Sequence, residues 1–363
     1  MNQHVSATLD AACRPVLIGS FPQMDMDEAL DLVLECVPEI PNWVQMPGIA
    51  EEGMLAQFAA GLPGLKGPTA HPYIDTSDDG FDDTMLAFYE DYMAVAEGQP
   101  GKDVSRFRMS PKTARGFFLF LERMASAAVK PKAVKGQITG PFSFGTGMKD
   151  QQGRALFYDD QMRDMAVKLI AMKAVWQVKQ LAVIGVPVIL FIDEPSLAGF
   201  GSSEFISISR EDVKKCLSEV VEAVHSAGGM AGIHVCANTD WSMVMESGAD
   251  IINFDAYAYF DRFALYREHI VELFNSGRWL AWGIVPTLNV EDIRKETVES
   301  LTGQFNAKVE HLSSLGIERS RILTQSMMTP SCGTGALSLD FSKKVLSLTR
   351  KVSEIIRKEV NKC

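Results

Sequence analysis

Eight short apolar runs, each rich in residues that favour β-strands, alternate with longer helical patterns through this 363-residue chain. The predicted strands cover residues 14–21, 42–46, 134–140, 186–193, 230–236, 250–255, 280–285 and 322–327. The predicted helices cover residues 25–36, 82–97, 111–129, 155–184, 210–227, 240–247, 259–276, 290–315 and 339–360. Strands that are apolar on both faces are typical of a buried parallel sheet. The alternation therefore predicts a closed (β/α)8 barrel, the TIM-barrel architecture of the α/β class, rather than an open sheet.

We expect a single barrel domain over residues 1–363, with an N-terminal tail at residues 1–13. Residues 47–80 form a long stretch rich in Gly and Pro, which predicts an elaborated loop with one short helix at 51–60. We place this loop over the C-terminal mouth of the barrel. No Gly-x-Gly-x-x-Gly segment follows the first strand, so a nucleotide-binding open sheet lacks its usual support.

Charge and cysteine content restrict the classes of partner. The chain has 46 acidic and 35 basic residues and a net charge of -11, and such a surface repels nucleic acids and anionic membranes. No apolar run reaches the ~20 residues that span a bilayer, and no signal peptide is evident, which predicts a cytoplasmic protein. Six cysteines are too few for a disulfide framework. We interpret Cys13, Cys36 and Cys216 as packing or surface residues and Cys363 as part of the C-terminal tail.

Polar side chains gather at the predicted carboxyl ends of the strands, which meet at one mouth in a (β/α)8 barrel. His234 and Cys236 are two residues apart on one strand, so their side chains project from the same face. Cys332 follows the last strand, which closes beside the first. Imidazole and thiolate groups are ligands suited to Zn²⁺, so these three residues predict a zinc site. Asp255, at the end of the next strand, is the predicted displaceable fourth ligand; the alternative is a core His-x-Cys pair without metal.

Two further residues at strand ends are candidates for substrate binding. Asp193 and Glu194 end an apolar strand that does not tolerate unpaired charge, so we interpret Asp193 as the partner of a substrate ammonium group. The alternative role for this pair is a helix cap with a salt bridge. Ser20, preceded by Gly19, offers a hydroxyl and nearby backbone N–H groups for a carboxylate. Surface or helix-capping roles are predicted for the remaining histidines, which are His4, His71, His225, His269 and His311.

Four segments resemble, in order and approximate spacing, the catalytic barrel of cobalamin-independent methionine synthase. They are Ile18-Gly19-Ser20-Phe21-Pro22-Gln23, Ile192-Asp193-Glu194-Pro195, His234-Val235-Cys236 and Pro330-Ser331-Cys332-Gly333. The family belongs to a superfamily with uroporphyrinogen decarboxylase and the methylcobalamin:coenzyme M methyltransferases. The resemblance implies a zinc-dependent thiol methyltransferase. It implies zinc ligation by His234, Cys236, Asp255 and Cys332, and binding of the amino acid part of homocysteine by Ser20 and Asp193.

Three departures from the family pattern bear on the substrate. The family's acidic ligand is usually Glu, where this chain has Asp255; Glu246, in the preceding helix, is the alternative. The segment 45–52 contains no clean match to the family glutamate that grips the substrate ammonium. Full-length family members carry an additional N-terminal barrel, whereas one barrel is predicted here. Short relatives of this kind look like partners of corrinoid proteins, which makes protein-bound methylcobalamin the implied methyl donor and a methyl-folate the alternative.

The leading hypothesis is therefore transfer of a methyl group to zinc-bound homocysteine, giving methionine. Coenzyme M or another small thiol is the alternative acceptor. A metal-free decarboxylase similar to uroporphyrinogen decarboxylase needs a cationic pocket, and the N-terminal segment offers only Arg14. A non-catalytic zinc-binding or corrinoid-binding protein is the third class.

Overall fold

A curled parallel sheet of seven strands organises the computed structural model, which describes residues 9, 11–98 and 105–360. The strands of the described residues are β1 (Arg14–Pro15), β2 (Leu65–Lys66), β3 (Tyr73–Ile74), β4 (Val134–Thr139), β5 (Lys149–Asp150), β6 (Val188–Asp193), β7 (Met230–Val235), β8 (Ile251–Phe254), β9 (Trp279–Val285) and β10 (Ser326–Pro330). The seven-stranded sheet has the order β1-β10-β9-β8-β7-β6-β4, and the three short strands β2, β3 and β5 form a separate small sheet. The structure confirms the predicted α/β class and the parallel sheet.

Helices follow the strands along the described parts of the chain. They are α1 (Met26–Cys36), α2 (Ala56–Ala59), α3 (Phe81–Ala96), α4 (Arg115–Ala125), α5 (Pro141–Gly147), α6 (Asp160–Ala182), α7 (Arg210–Ser226), α8 (Trp241–Glu246), α9 (Phe260–Phe263), α10 (Arg267–Asn275), α11 (Val290–Lys295), α12 (Val298–Ser313), α13 (Arg319–Thr324) and α14 (Leu339–Val360). Side chains cap several of their first turns: Asp25 begins α1 and Asp159 begins α6 by accepting hydrogen bonds from backbone N–H groups. Within the described ranges, no helix is both long and apolar enough to cross a bilayer.

The two faces of the large sheet bury separate apolar clusters. On β6, Leu190 and Ile192 belong to the main core beneath the helices, whereas Ile189 and Phe191 belong to a smaller cluster. Because side chains alternate along a strand, the smaller cluster lies on the concave inner face. It also contains Val16, Ile18, Ile251, Ala281 and Met327. All of these side chains are buried, so the inner face is a packed core and not a pore.

Residues 42–46, predicted as the second strand, lie between the two edges of the seven-stranded sheet. Isolated parallel bridges pair Gln45 with Ser20 near β1 and pair Asn42 with Lys135 in β4. The Gln45 N–H donates to the Gly19 carbonyl at 3.0 Å. The segment forms single bridges and not a ladder; the prolines at its ends, Pro41 and Pro47, carry no N–H group for a ladder bond.

Side chains complete the connection between this segment and β4. The indole N–H of Trp43 donates to Gln177 Oε1 at 2.9 Å, and Gln137 Nε2 donates to the Trp43 carbonyl at 3.0 Å. Gln177 in turn bonds both the N–H and the carbonyl of Gln137, at 3.1 Å each. We call residues 42–46, with Gln137 and Gln177, the seam.

Several predicted element boundaries differ from the structure. The strand predicted at 322–327 is wrong in its first half, because 319–324 form helix α13 and β10 runs from Ser326 to Pro330. Ile322 and Leu323 are buried on that helix, and a short apolar run does not distinguish a helix from a strand. The helices predicted at 259–276 and 290–315 are each divided in two. Helix α5 was not predicted.

The predicted tail and loop are partly described. Residues 1–8 and 10 of the tail, with His4, and Cys363 lie outside the described residues, whereas Leu9 and Ala11–Cys13 are buried. In the 47–80 segment, the helix predicted at 51–60 is a 3-10 turn at Ala50–Glu52 followed by α2. The Thr139 hydroxyl, at the end of β4, donates to the Met54 carbonyl at 2.7 Å, which fixes this part of the segment at the carboxyl edge of the sheet.

Candidate metal and substrate site

Three potential metal ligands converge at the carboxyl edge of the sheet. His234 lies in β7, Cys236 follows directly after β7, and Cys332 lies in the loop after β10. One ligand atom from each side chain lies within 4.8 Å of the others. Among the described residues, no other three His, Cys, Asp or Glu side chains converge in this way. The sequence-predicted His-x-Cys pair and the late cysteine are therefore brought together, and we call these three residues the His-Cys-Cys cluster.

The two thiols of the cluster differ in their affinity for a proton. A hydrogen bond from Cys332 lowers the pKa of Cys236 to about 4, against the opposing effect of burial, and the neighbouring imidazole acts in the same direction. The same contact and burial raise the pKa of Cys332. Cys236 is therefore readily available as a thiolate, the form of cysteine that binds metals.

The imidazole of His234 is buried, with 4% of the residue exposed, and its two nitrogens have different surroundings. Nδ1 lies 2.5 Å from the amide oxygen of Asn253, whereas Nε2 is buried with no hydrogen-bond partner. Burial lowers the pKa of this imidazole, but contacts with Cys236, Asp193 and Asn253 outweigh it and raise the pKa. Buried polar atoms normally have a partner, so the unpaired Nε2 beside two thiols fits a ligand for a metal ion.

Asp255, the predicted fourth ligand, is near the cluster but is not part of it. Its carboxylate Oδ1 accepts a hydrogen bond at 2.9 Å from the N–H of Ala258, in its own loop. Burial raises the pKa of Asp255 to about 6, and the neighbouring Cys236 also raises it. The carboxylate is therefore oriented toward residues 255–258 of its own loop. Glu246, the alternative acid, lies on α8 and forms an ion pair with Arg210 at 2.9 Å.

Asp193 ends β6 directly beside His234, since the two residues are register partners in neighbouring strands. Its Oδ1 is buried and has no hydrogen-bond partner. Burial raises the pKa of Asp193 to about 6, opposed by His234 and by Lys135. An unpaired buried carboxylate oxygen at the mouth, next to the cluster, is suited to bind a cationic group of a ligand.

Lys135 is a buried cation on the inner face that the sequence did not single out. Its Nζ donates to the Ile18 carbonyl at 2.6 Å and to Gln137 Oε1 at 3.2 Å, and lies 4.5 Å from the ring centroid of Phe191. Burial lowers its pKa to about 7, opposed by Asp193. Lys135 therefore holds the chain just before Ser20. The available signal was a lysine near the start of a predicted strand, between Val134 and Gly136.

Ser20 lies against the loop that carries Cys332. The Gly335 N–H donates to its Oγ at 3.3 Å, and both the N–H and the hydroxyl of Thr334 donate to its carbonyl. A Cβ added to Gly333 would lie 2.0 Å from Ser20 Oγ, so only glycine allows this close approach. The first-strand and last-strand motifs are thus in contact.

The remaining described histidines lie away from this site. His225 pairs with Asp250 at 2.7 Å at the end of α7, and His269 lies 3.4 Å from a carboxylate oxygen of Glu246. His71 is exposed, and His311 packs edge-on against Phe260. None of these four residues joins the His-Cys-Cys cluster.

The fold of this chain is similar to that of a solved structure, although its sequence matches no known family. No protein-family model matches the chain, and no curated protein matches its sequence. The fold is similar to the structure of a B12-independent methionine synthase from Shewanella sp. W3-18-1 in complex with selenomethionine, with a TM-score of 0.55 and 15% sequence identity. The similarity covers 97% of this chain and 100% of that chain.

This similarity is at the level of the fold, because the two sequences share so few identical residues. It agrees with the methionine synthase-like architecture that the motifs predict. It gives no support to a corrinoid donor or a corrinoid protein partner, since the matched enzyme is described as independent of B12.

Proposed function

We propose that the protein is a zinc-dependent methyltransferase that acts on a small thiol, with homocysteine as the favoured acceptor and methionine as the product. One observation carries the proposal: a ring nitrogen of His234 and the thiols of Cys236 and Cys332 lie within 4.8 Å of one another, and the Nε2 of that ring is buried with no hydrogen-bond partner. Three protein ligands with a remaining open position are typical of catalytic zinc sites, whereas structural sites are closed by four.

The His-Cys-Cys cluster would hold the zinc ion. Held there, zinc would act as a Lewis acid and would keep a thiol substrate in its thiolate form near neutral pH. Asp255 is proposed as a labile additional ligand, which would have to exchange its hydrogen bond with Ala258 for the metal. The half-buried position of both cysteines leaves the site open at the mouth.

Two residues are proposed to orient the acceptor. The free Oδ1 of Asp193 would bind the ammonium group of homocysteine, in a charge-assisted hydrogen bond. Ser20, beside the Cys332 loop, would bind the carboxylate of the same molecule. Together they would position the acceptor sulfur toward the donor, and positioning of this kind accounts for a large part of catalysis in displacement reactions.

In the transfer step, the acceptor sulfur forms a bond to the methyl carbon. The bond from that carbon to the donor breaks at the same time, and its electron pair leaves with the donor. We propose a methyl-folate or a methylcorrinoid as the donor, and the similarity in fold to a B12-independent enzyme favours the methyl-folate. We also propose that the sheet closes into a complete (β/α)8 barrel through the seam, whose bridges reach both edges.

The test combines metal analysis with a transfer assay. Purified protein is expected to contain one zinc per chain and to convert homocysteine to methionine with methyltetrahydrofolate or with methylcobalamin. Cys236→Ser and Cys332→Ser should each lose zinc and activity, because each removes a charged ligand. Cys36→Ser, at a buried cysteine at the end of α1, is the matched control and should retain both. Protein that takes up no zinc would overturn the proposal.

A further inference from the structure

We infer that Asn253 is a positioning residue that fixes the tautomer of His234, with the proton on Nδ1 and the lone pair on Nε2. Asn253 lies in β8, between β7, which carries His234, and β10, which is followed by the loop of Cys332. The consequence for metal binding rests on the proposed zinc function, but the hydrogen-bond arrangement itself does not.

The sheet register places Asn253 between its partners. Asn253 is the register partner of His234 in β7 and of Ala281 in β9. The residue is fully buried, with 0% exposed, in a strand that is otherwise Ile251, Ile252 and Phe254. A primary amide in such surroundings is costly unless all of its hydrogen-bonding groups are used. Here all of them are used, and only one orientation of the amide allows this.

The two donors of the amide fix its orientation. Nδ2 donates to the Ala281 carbonyl at 2.9 Å and to Thr329 Oγ1 at 2.9 Å. A carbonyl oxygen accepts hydrogen bonds and cannot donate them, so the NH2 end of the amide must face Ala281. The Oδ1 end must therefore face Nδ1 of His234, 2.5 Å away.

This orientation decides the tautomer of the imidazole. Because Asn253 Oδ1 only accepts, Nδ1 of His234 must carry the proton. In the neutral ring the lone pair is then on Nε2, the atom that is buried without a partner beside the two thiols. Because the tautomer is fixed in advance, metal binding carries no free-energy cost for selecting the correct form of the ring.

A purely structural buried asparagine provides the contrast. Asn42 in the seam is also fully buried, but its Nδ2 bonds the carbonyl of the next residue, Trp43, and its Oδ1 has no partner. It touches no candidate ligand. Asn42→Leu is therefore the matched control for loss of a buried amide.

The first experiment needs neither zinc nor turnover. Metal-free protein with 15N-labelled histidine is studied by long-range 1H–15N correlation at a pH high enough to keep the ring neutral. We expect His234 to show the Nδ1–H tautomer, with Nε2 unprotonated. In Asn253→Leu this preference should be lost, whereas Asn42→Leu should keep it. An Nε2–H tautomer in the wild-type protein would overturn the inference.

The second experiment measures zinc affinity by competition with a chelator. Asn253→Leu should weaken zinc binding by roughly 10- to 100-fold, the usual effect of removing a hydrogen-bond partner of a metal-binding histidine. Asn253→Asp retains the acceptor for Nδ1–H but places an oxygen against the Ala281 carbonyl. It should therefore keep the tautomer and the zinc affinity while losing stability, which separates positioning from folding.

The outcomes distinguish the two proposals. If the wild-type protein shows the Nδ1–H tautomer but binds no zinc, the proposed function fails and the positioning role of Asn253 stands. If zinc binds and Asn253→Leu binds it within about twofold of wild type, the positioning role is wrong and the proposed function stands. If Asn253→Leu does not fold, the wild-type tautomer and the Asn253→Asp affinity decide.

Discussion

The carboxylate of Glu194 accepts two hydrogen bonds from Ser143 on a single oxygen, one from the backbone N–H at 2.7 Å and one from the hydroxyl at 2.6 Å. Its other oxygen accepts the N–H of Phe142 at 2.9 Å. Glu194 therefore satisfies the first N–H groups of α5 from the end of a different strand. The neighbouring Asp193 has a free carboxylate oxygen. One acid of the pair stabilises the fold, and the other has an oxygen available for the substrate contact that we propose.

Glu194→Gln should destabilise the fold. An amide replaces one accepting oxygen with a donor that faces an N–H or hydroxyl of α5, so at least one buried hydrogen bond is lost. Such a loss costs about 1–3 kcal/mol, to be measured by chemical denaturation. Glu222→Gln, at an exposed position of α7, is the control and should change the free energy of unfolding by less than about 0.5 kcal/mol.

The pH dependence of that difference has a defined sign. Burial raises the pKa of Glu194 from its ordinary 4.5 to about 7, although the bonds from Ser143 and Phe142 lower it. A raised pKa in the folded state means that this group's contribution is present below 4.5 and is lost as pH rises through 7. The stability advantage of wild type over Glu194→Gln should therefore shrink from about pH 5 to about pH 8. An advantage that grows with pH would show that the three bonds favour the ionised form.

Asp193→Asn should impair the use of homocysteine and not the fold. Charge-assisted hydrogen bonds contribute roughly 1.5–3 kcal/mol, so kcat/KM for homocysteine should fall on the order of ten- to a hundredfold. The rate with coenzyme M, which has no ammonium group, should change little. Zinc content and melting temperature should also be retained.

Asp79→Asn, at an exposed position in the 47–80 segment, is the control for loss of a carboxylate. If Asp193→Asn unfolds, the residue supports the fold. If it keeps full activity with homocysteine, the acceptor ammonium is bound elsewhere.

Asp255 should contribute less to zinc binding than the three cluster residues. Its carboxylate is engaged by Ala258, so Asp255→Asn should weaken zinc binding by at most about tenfold, well below the loss from Cys236→Ser.

X-ray absorption of the zinc-loaded protein should show one added sulfur ligand when homocysteine is supplied. An unchanged first coordination shell with a thiol that is turned over would exclude direct activation of that thiol by zinc.

The convergence of the cluster could be predicted from the sequence because it depends on strand geometry. His234 and Cys236 share a face through the period of two, and carboxyl ends of parallel strands meet at one edge, which also brings Cys332 near. These are properties of the backbone, and the apolar runs indicate where the backbone forms strands.

What the sequence could not provide were the directions of individual side chains. The Asn253 amide is oriented by Ala281 and Thr329, which lie 28 and 76 residues away in the chain. Asp255 is turned toward Ala258 by a local bond that competes with the expected ligand role. Helix α5 was missed because its first turn is capped by Glu194, 51 residues after Ser143, so no local capping signal marks its start.

The seam limits which amino-acid substitutions this chain can accept during evolution. A backbone ladder is made by N–H and carbonyl groups that nearly every amino acid supplies, so most strands of the sheet tolerate exchange of one apolar residue for another. At the seam there are only isolated backbone bonds, such as that from Gln45 to Gly19, and the side chains of Trp43, Gln137 and Gln177 supply the rest. We expect those positions to accept few replacements, although none of them belongs to the cluster. A mutational scan would therefore find intolerant sites there that reflect the hydrogen bonds between residues 42–46 and the edges of the sheet, and not chemistry.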